Sequence, residues 1–313
     1  MSENYLNLEL SKKSFPFMRD VFIDSIYESA KKDKDIYFTT PDMGAPALDK
    51  FRAEIPRQFI HSGICEQHMI AMAAGLSLMN KKAFCYAMAP FITSRCYEQI
   101  KCSVAAMDRD VTLVGIGVGL GYADAGPTHY TTEDIATMRA FPNIEIITPC
   151  DELSTKKVAS LCVEEPKFRF IRLDREALPP IYEKEDFNLE DGFSTIIKGK
   201  NKCVVTCGKL LHLAKLAIEK NNLDLGLIDL FKIKPLTKNL LKTISQYTEI
   251  ITLEEQCLDG GFGSAILEFC NENSVIINIK RHGLDNRFYF ENGGRDYLFN
   301  RYGLNVNKIL QQY

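Results

Sequence analysis

The chain has 313 residues, 46% of them hydrophobic and 25% charged, with a formal net charge of -3. At ~100–200 residues per domain this suggests about two domains, and the weak charge gives no basis for a nucleic acid or an anionic membrane as partner. The opening "MSENYLNLELSKK" lacks a basic stretch followed by an apolar run, and no window nears the ~18 apolar residues of a membrane span, so a cytoplasmic protein is expected.

Strands and helices alternate along the chain. "MRDVFIDSIYESAKK" repeats apolar residues at Met18, Phe22, Ile26 and Ala30 and predicts an amphipathic helix. "DIYFTT" follows as a strand, then a loop, "PDMGAPALDKFRAEIPRQ". "HSGICEQHMIAMAAGLSLMN", residues 61–80, predicts a helix of small and apolar residues with an ionisable acid, Glu66, in its first turn. Next come the strand "AFCYAM", a helix over about 93–106, the buried strand "VTLVGIGVG" and the Gly-rich loop "LGYADAGPTHY". "TTEDIATMRAF" predicts a helix capped by Thr131 or Thr132, with Glu133 and Asp134 favourable in its first turn. "IEIITP", "CDELSTKKVASLCVEE" and "FRFIRLD" read as strand, helix and strand.

"REALPPIYEKEDFNLEDGFS" is rich in proline and charge and has no apolar period, which predicts a solvated linker with a domain boundary near 180–195. The alternation then resumes through "KCVVTCG", "KLLHLAKLAIEK", "LDLGLIDL", "LTKNLLKTISQY", "EIITLEE", "GFGSAILEFCNE" and "SVIINIK", and closes with a helix around "GGRDYLFNRYG". Short, nearly continuous apolar strands between helices predict parallel sheets covered on both faces. The expected fold is two three-layer α/β domains, residues 1–185 and a smaller unit over 186–313.

The ten cysteines are scattered, several inside apolar runs, and read as reduced thiols acting as small hydrophobes. "GVGLG" and "GGFG" lack the spacing of a dinucleotide fingerprint, and no Walker motif or paired metal-ligand histidines occur, so this chain is expected to hold no metal. His68, His212 and His282 read as surface or packing residues. Two stretches ask for chemistry: "HSGICEQ" entering an apolar helix, and "DAGPTHYTTED", a histidine on a Gly-Pro turn just past a buried strand. The carboxyl ends of strands in open α/β sheets are where ligands bind.

The order "FIHSGICEQ", "AAGL", "PFITSRCYEQI", "GPTH", "EDIATMR", "PNIEIITPCD" resembles the pyrimidine-binding domain of the transketolase family, which deoxyxylulose-phosphate synthases share. "DLFKIKPL" and "LEEQCLDGGFGS" resemble the C-terminal domain of the same enzymes. No "GDG" of the diphosphate-binding domain occurs, so the chain resembles the C-terminal half of a split transketolase. The resemblance implies thiamine diphosphate as cofactor, with Mg²⁺ held by an N-terminal partner subunit in an α₂β₂ heterotetramer. It implies transfer of a two-carbon unit from a ketose or 2-oxo donor to an aldehyde or ketone acceptor. Two alternatives are the β subunit of a 2-oxo-acid dehydrogenase and a non-catalytic transketolase-like partner. Glu66 matches the acid that hydrogen-bonds N1′ of the aminopyrimidine; burial favours the protonated form of a carboxyl, so an apolar helix suits an acid that shares a proton there. Phe91, with Tyr86 second, matches the aromatic platform under the pyrimidine, and Asp42 matches an Asp near the cofactor. His129 matches the histidine on the ketose oxygens that helps move protons, and Arg175 an arginine on the substrate phosphate.

The sequence departs from the family at the substrate end. Ala125 replaces an Asp on a sugar hydroxyl, with Asp124 one step away; Gly117 replaces a His on the phosphate; His61 stands where Asn is usual. These departures imply an altered sugar-phosphate pocket.

Overall fold

A computed structural model describes residues 15–41, 44–183 and 187–313, and Asp42 lies outside the described residues. β1 (Ile36–Thr40), β2 (Phe59–His61), β3 (Lys82–Met88), β4 (Val111–Ile116), β5 (Glu145–Ile147) and β6 (Arg169–Leu173) form a parallel sheet in the order β5-β6-β4-β3-β1-β2. Every residue of β4 and β6 is buried, which is why the central strands read as unbroken apolar runs: helices cover both faces. The helix Met18–Ala30 buries Met18, Phe22, Ile26 and Ala30, as its period predicts, and packs on the helix Glu152–Glu164. That second helix starts with a capping box, Ser154 N–H donating to Asp151 Oδ1 at 2.8 Å.

Beyond residue 190 the chain forms β7 (Ser194–Ile197), β8 (Lys202–Thr206), β9 (Leu225–Asp229), β10 (Lys232–Lys234), β11 (Glu249–Cys257) and β12 (Asn278–Leu284). The second sheet runs β12-β11-β8-β9-β7, parallel except for β7 at its edge. β10 leaves this unit and pairs antiparallel with β5, completing a seven-stranded first sheet. Both sheets are therefore mixed rather than wholly parallel.

Four expectations change. β2, β7 and β10 are strands of three or four residues, too short to show a period, and the helix Leu48–Glu54 lies inside the expected loop. The expected helix over 93–106 is a run of short turns, from Ala89–Ile92 to a wide turn over Ile100–Ala105. Neither Thr131 nor Thr132 caps the helix Asp134–Met138: Thr131 bridges to Gly119, and the Thr132 hydroxyl donates to Glu133. The linker is not simply solvated. Tyr182 and Phe187 are buried within it, and the Phe187 ring lies 4.3 Å from Phe231, so two aromatics tether a charged segment to the second unit. No helix among the described residues is long and apolar enough to cross a membrane, and all ten cysteines are unbridged.

Candidate active site at the carboxyl edge of the first sheet

The parallel strands deliver His61 (end of β2), Phe91 (just past β3), His129 (the loop after β4) and Arg175 (just past β6) to one edge of the sheet. Glu66 opens the helix Glu66–Leu78 and is 3% exposed. The acid is buried as expected, but it is not alone. Arg95 Nη1 donates to Glu66 Oε2 at 2.9 Å, and Oε1 makes no hydrogen bond among the described residues. The Arg95 guanidinium also lies 4.0 Å over the Phe91 ring, and the His129 ring meets Phe91 edge-on at 5.2 Å. A continuous set of contacts thus joins Glu66, Arg95, Phe91 and His129. Arg95 lies in the "PFITSRCYEQI" stretch, yet sequence reasoning assigns it no role; its place four residues after Phe91 in a helical segment is the signal that stacks them.

The set continues from His129. Its Nδ1 lies 2.9 Å from Thr128 Oγ1, and its ring lies 6.0 Å from Tyr122. The Arg175 guanidinium sits 4.6 Å over Tyr122 and donates to Asp124 Oδ1 at 2.8 Å, which holds the Asp124 carboxyl below its usual range. Both partners of that pair are well exposed, so it is weak and an incoming anion competes for the guanidinium. Gly117 has φ +81°, and a Cβ there would lie 2.0 Å from the Tyr122 ring. The space that a side chain at 117 would need is taken by Tyr122, an aromatic that sequence reasoning does not single out.

The remaining candidates separate. Tyr86 is fully buried, its ring 6.1 Å from Phe38 and its hydroxyl without a hydrogen-bond partner among the described residues; burial pushes that phenol up. Phe91 is half-buried and adjoins Arg95 and His129, so of the two aromatics it has the surface to receive a ring. His61 is exposed, and its Nδ1 accepts from Gly63 N–H at 3.3 Å. His68 is exposed, His212 is buried with Nε2 2.8 Å from the Cys150 carbonyl, and His282 Nε2 lies 2.8 Å from the Tyr313 hydroxyl.

Comparison with known proteins gives this arrangement a context. Residues 16–180 match the family described as transketolase, pyrimidine binding domain, and residues 194–309 match transketolase, C-terminal domain. A subunit of the apulose-4-phosphate transketolase of Phocaeicola vulgatus is 32% identical over 297 residues, covering 93% of this chain and 94% of that protein. 1-Deoxy-D-xylulose-5-phosphate synthase of Shouchella clausii is 30% identical over 311 residues, covering 96% of this chain and 49% of the synthase. In three dimensions the chain is similar to a solved split gene transketolase, an inactive beta4 tetramer, with a TM-score of 0.83, 24% identity and coverage of 96% and 98%.

Proposed function

The chain belongs to the transketolase family, and from that premise we propose that it is the pyrimidine-binding subunit of a split, thiamine-diphosphate-dependent transketolase. The observation that carries this reading is the buried Glu66 with Oε1 uncommitted among the described residues, placed beside Phe91 and His129 at the carboxyl edge of a parallel sheet. This donor set fits the aminopyrimidine end of thiamine diphosphate. Glu66 Oε1 would accept or share a proton at N1′, and the half-open Phe91 ring would flank the pyrimidine. When bound, the cofactor supplies a C2 carbon that adds to a ketone and takes up the two-carbon unit. Arg95 fixes the direction of the Glu66 carboxyl. His129 Nε2 would hold a substrate oxygen and move its proton, with Nδ1 set by Thr128.

A partner chain would complete the site. Among the described residues no cluster of His, Cys, Asp and Glu is arranged to hold a metal ion. Mg²⁺ and the diphosphate would fall to a second subunit in an α₂β₂ assembly. The flank of the Glu66–Leu78 helix supports a docking surface beside the site. Ile64, Leu78 and Met79 are 71%, 58% and 69% exposed, with Ala71 and Gly75 exposed between them. Small residues there would let a second backbone approach Glu66 closely.

The substrate would be a ketose or 2-oxo donor whose anionic end meets Arg175. Tyr122 in the space of a side chain at 117, and Ala125 in place of a carboxylate, would exclude the usual grip on a linear sugar phosphate. The relatives named as subunits of an apulose-4-phosphate transketolase make apulose 4-phosphate the first donor to test. The experiment is reconstitution with the chain encoding the diphosphate motif, followed by a thiamine diphosphate titration with Mg²⁺. Steady-state comparison of apulose 4-phosphate, xylulose 5-phosphate, unphosphorylated ketoses and pyruvate then ranks donors. Saturable binding and ketol transfer by the complex, with little of either from the lone chain, are expected. A complex that binds no cofactor would overturn the reading, and a highest kcat/KM with xylulose 5-phosphate would overturn the altered pocket.

A further inference from the structure

The loop over 117–132 carries His129, and the second unit grips it at three points. Glu255 Oε2, on β11, accepts from Leu120 N–H at 3.2 Å. The Tyr130 hydroxyl, next to His129, donates to the Glu291 carbonyl at 2.5 Å. Cys257 N–H donates to the Thr132 carbonyl at 2.9 Å. The first contact needs an unusually close backbone: Gly119 has φ +60°, and a Cβ there would lie 2.7 Å from both Cβ and Oε2 of Glu255.

The same carboxylate joins this loop to the other side of the site. Glu255 accepts from Arg295 Nε at 2.9 Å and from Nη2 at 2.7 Å. Arg295 also donates twice to Asp174, at 2.8 Å each, and to Glu176 Oε1 at 3.2 Å. Asp174 and Glu176 flank Arg175 in the chain. Asp174, Glu255 and Arg295 are 3%, 6% and 6% exposed, so the bonds form away from water and their geometry is strict. One buried guanidinium and one buried carboxylate therefore connect the His129 loop to the Arg175 segment, and both belong to the second unit.

We propose that Glu255 and Arg295 are positioning residues that set the separation of His129 and Arg175, which gives the second unit a direct part in substrate orientation. The proposal rests on the reading of His129 and Arg175 as substrate-binding groups. Neither Glu255 nor Arg295 touches substrate; each acts through the loops. Glu66, Arg95 and the cofactor end of the site hang on the first sheet and stand outside this connection.

The test uses Glu255→Gln, with Arg295→Lys as a second variant. The introduced amide keeps one acceptor oxygen but cannot serve Leu120 and both arms of Arg295 together. Hydrogen exchange on the full chain comes first and needs no activity. Amides over 119–132 are expected to exchange ~10-fold faster or more in the variant, the effect of losing one charge-assisted hydrogen bond, with protection of β3 and β4 unchanged. In the reconstituted complex, thiamine diphosphate affinity is expected to stay the same while kcat/KM for the ketose donor falls by up to about 10²-fold, the cost of misplacing a substrate-positioning group. The Glu255→Gln effect is expected to vanish in a His129→Ala background, since a residue acting through His129 has nothing left to position. An unchanged exchange rate over 119–132, or an equal loss of kcat/KM in both backgrounds, overturns the proposal. A wild-type complex without ketol transfer overturns the functional reading instead, and the exchange result still decides whether the loop is braced.

Discussion

Asp229 ends β9 in full burial, where Tyr182 Oη donates to its Oδ2 at 2.6 Å and Oδ1 has no partner among the described residues. Burial pushes its carboxyl up to about 7 from an ordinary value of 3.8, against the pull of the Tyr182 and Cys150 hydrogen bonds. A raised carboxyl holds its proton in the folded chain after the unfolded chain has released it. Its contribution is therefore complete below about pH 4 and is lost as pH rises to about pH 7. Each pH unit inside that window costs about 1.4 kcal/mol, so between pH 5 and pH 8 the folded state loses about 2–3 kcal/mol at this residue. Asp229→Asn is neutral throughout and keeps an acceptor for Tyr182. Urea unfolding followed by far-ultraviolet circular dichroism, at pH 5 and pH 8 for both chains, isolates the effect. Glu254, which burial also raises to about 7, is present in both chains and cancels in the difference. The variant is expected to be the more stable chain at pH 8 and to show a pH dependence weaker by that amount. Parallel stability curves for the two chains would refute the argument.

Glu66→Gln keeps the side-chain shape and its contact with Arg95 but cannot share an acidic proton. C2–H exchange of thiamine diphosphate in the reconstituted complex, read by NMR, is expected to fall roughly 10²–10⁴-fold with the fold intact. Arg175→Met removes the guanidinium over Tyr122; KM for a phosphorylated donor is expected to rise about 10-fold or more, while KM for an unphosphorylated ketose holds, in steady-state assays. Ala71→Arg places a charge on the exposed flank of the Glu66–Leu78 helix. Sedimentation velocity is expected to show lost assembly with the partner, and the melting temperature of the lone chain is expected to stay unchanged because the site is solvent-facing.

The strands with strong burial are plain in the sequence. β3, β4 and β6 are continuous apolar runs because both faces are covered, and the helix Met18–Ala30 carries its period in the open. The short edge strands are invisible there because three residues hold no period, and their pairing comes from distant partners such as β5. Glu66 and His129 stand out for a physical reason: each is a polar group where the local pattern calls for an apolar or inert one. Arg95 and Tyr122 do not, because an arginine on a helix and a tyrosine in a Gly-rich loop have ordinary places there, and only packing brings them to Phe91 and His129. The linker reads wrongly as solvated because its charge masks Tyr182 and Phe187, two aromatics whose burial depends on Phe231. The Glu255–Arg295 connection lies beyond sequence reasoning, since its members come from β11, the segment after β6 and a helix near residue 295.

The pairing of β10 with β5 bears on how the protein is made. The first sheet takes its last strand from a segment beyond β9, so during synthesis β5 presents a bare row of amide and carbonyl groups until Lys234 has emerged. A nascent or truncated chain that stops in the 180–195 segment would carry that open edge, a ready template for pairing with another copy. The seam between the two units is therefore a poor place to cut. A fragment meant to isolate the first unit should run past Lys234, and one that stops earlier is expected to aggregate through β5.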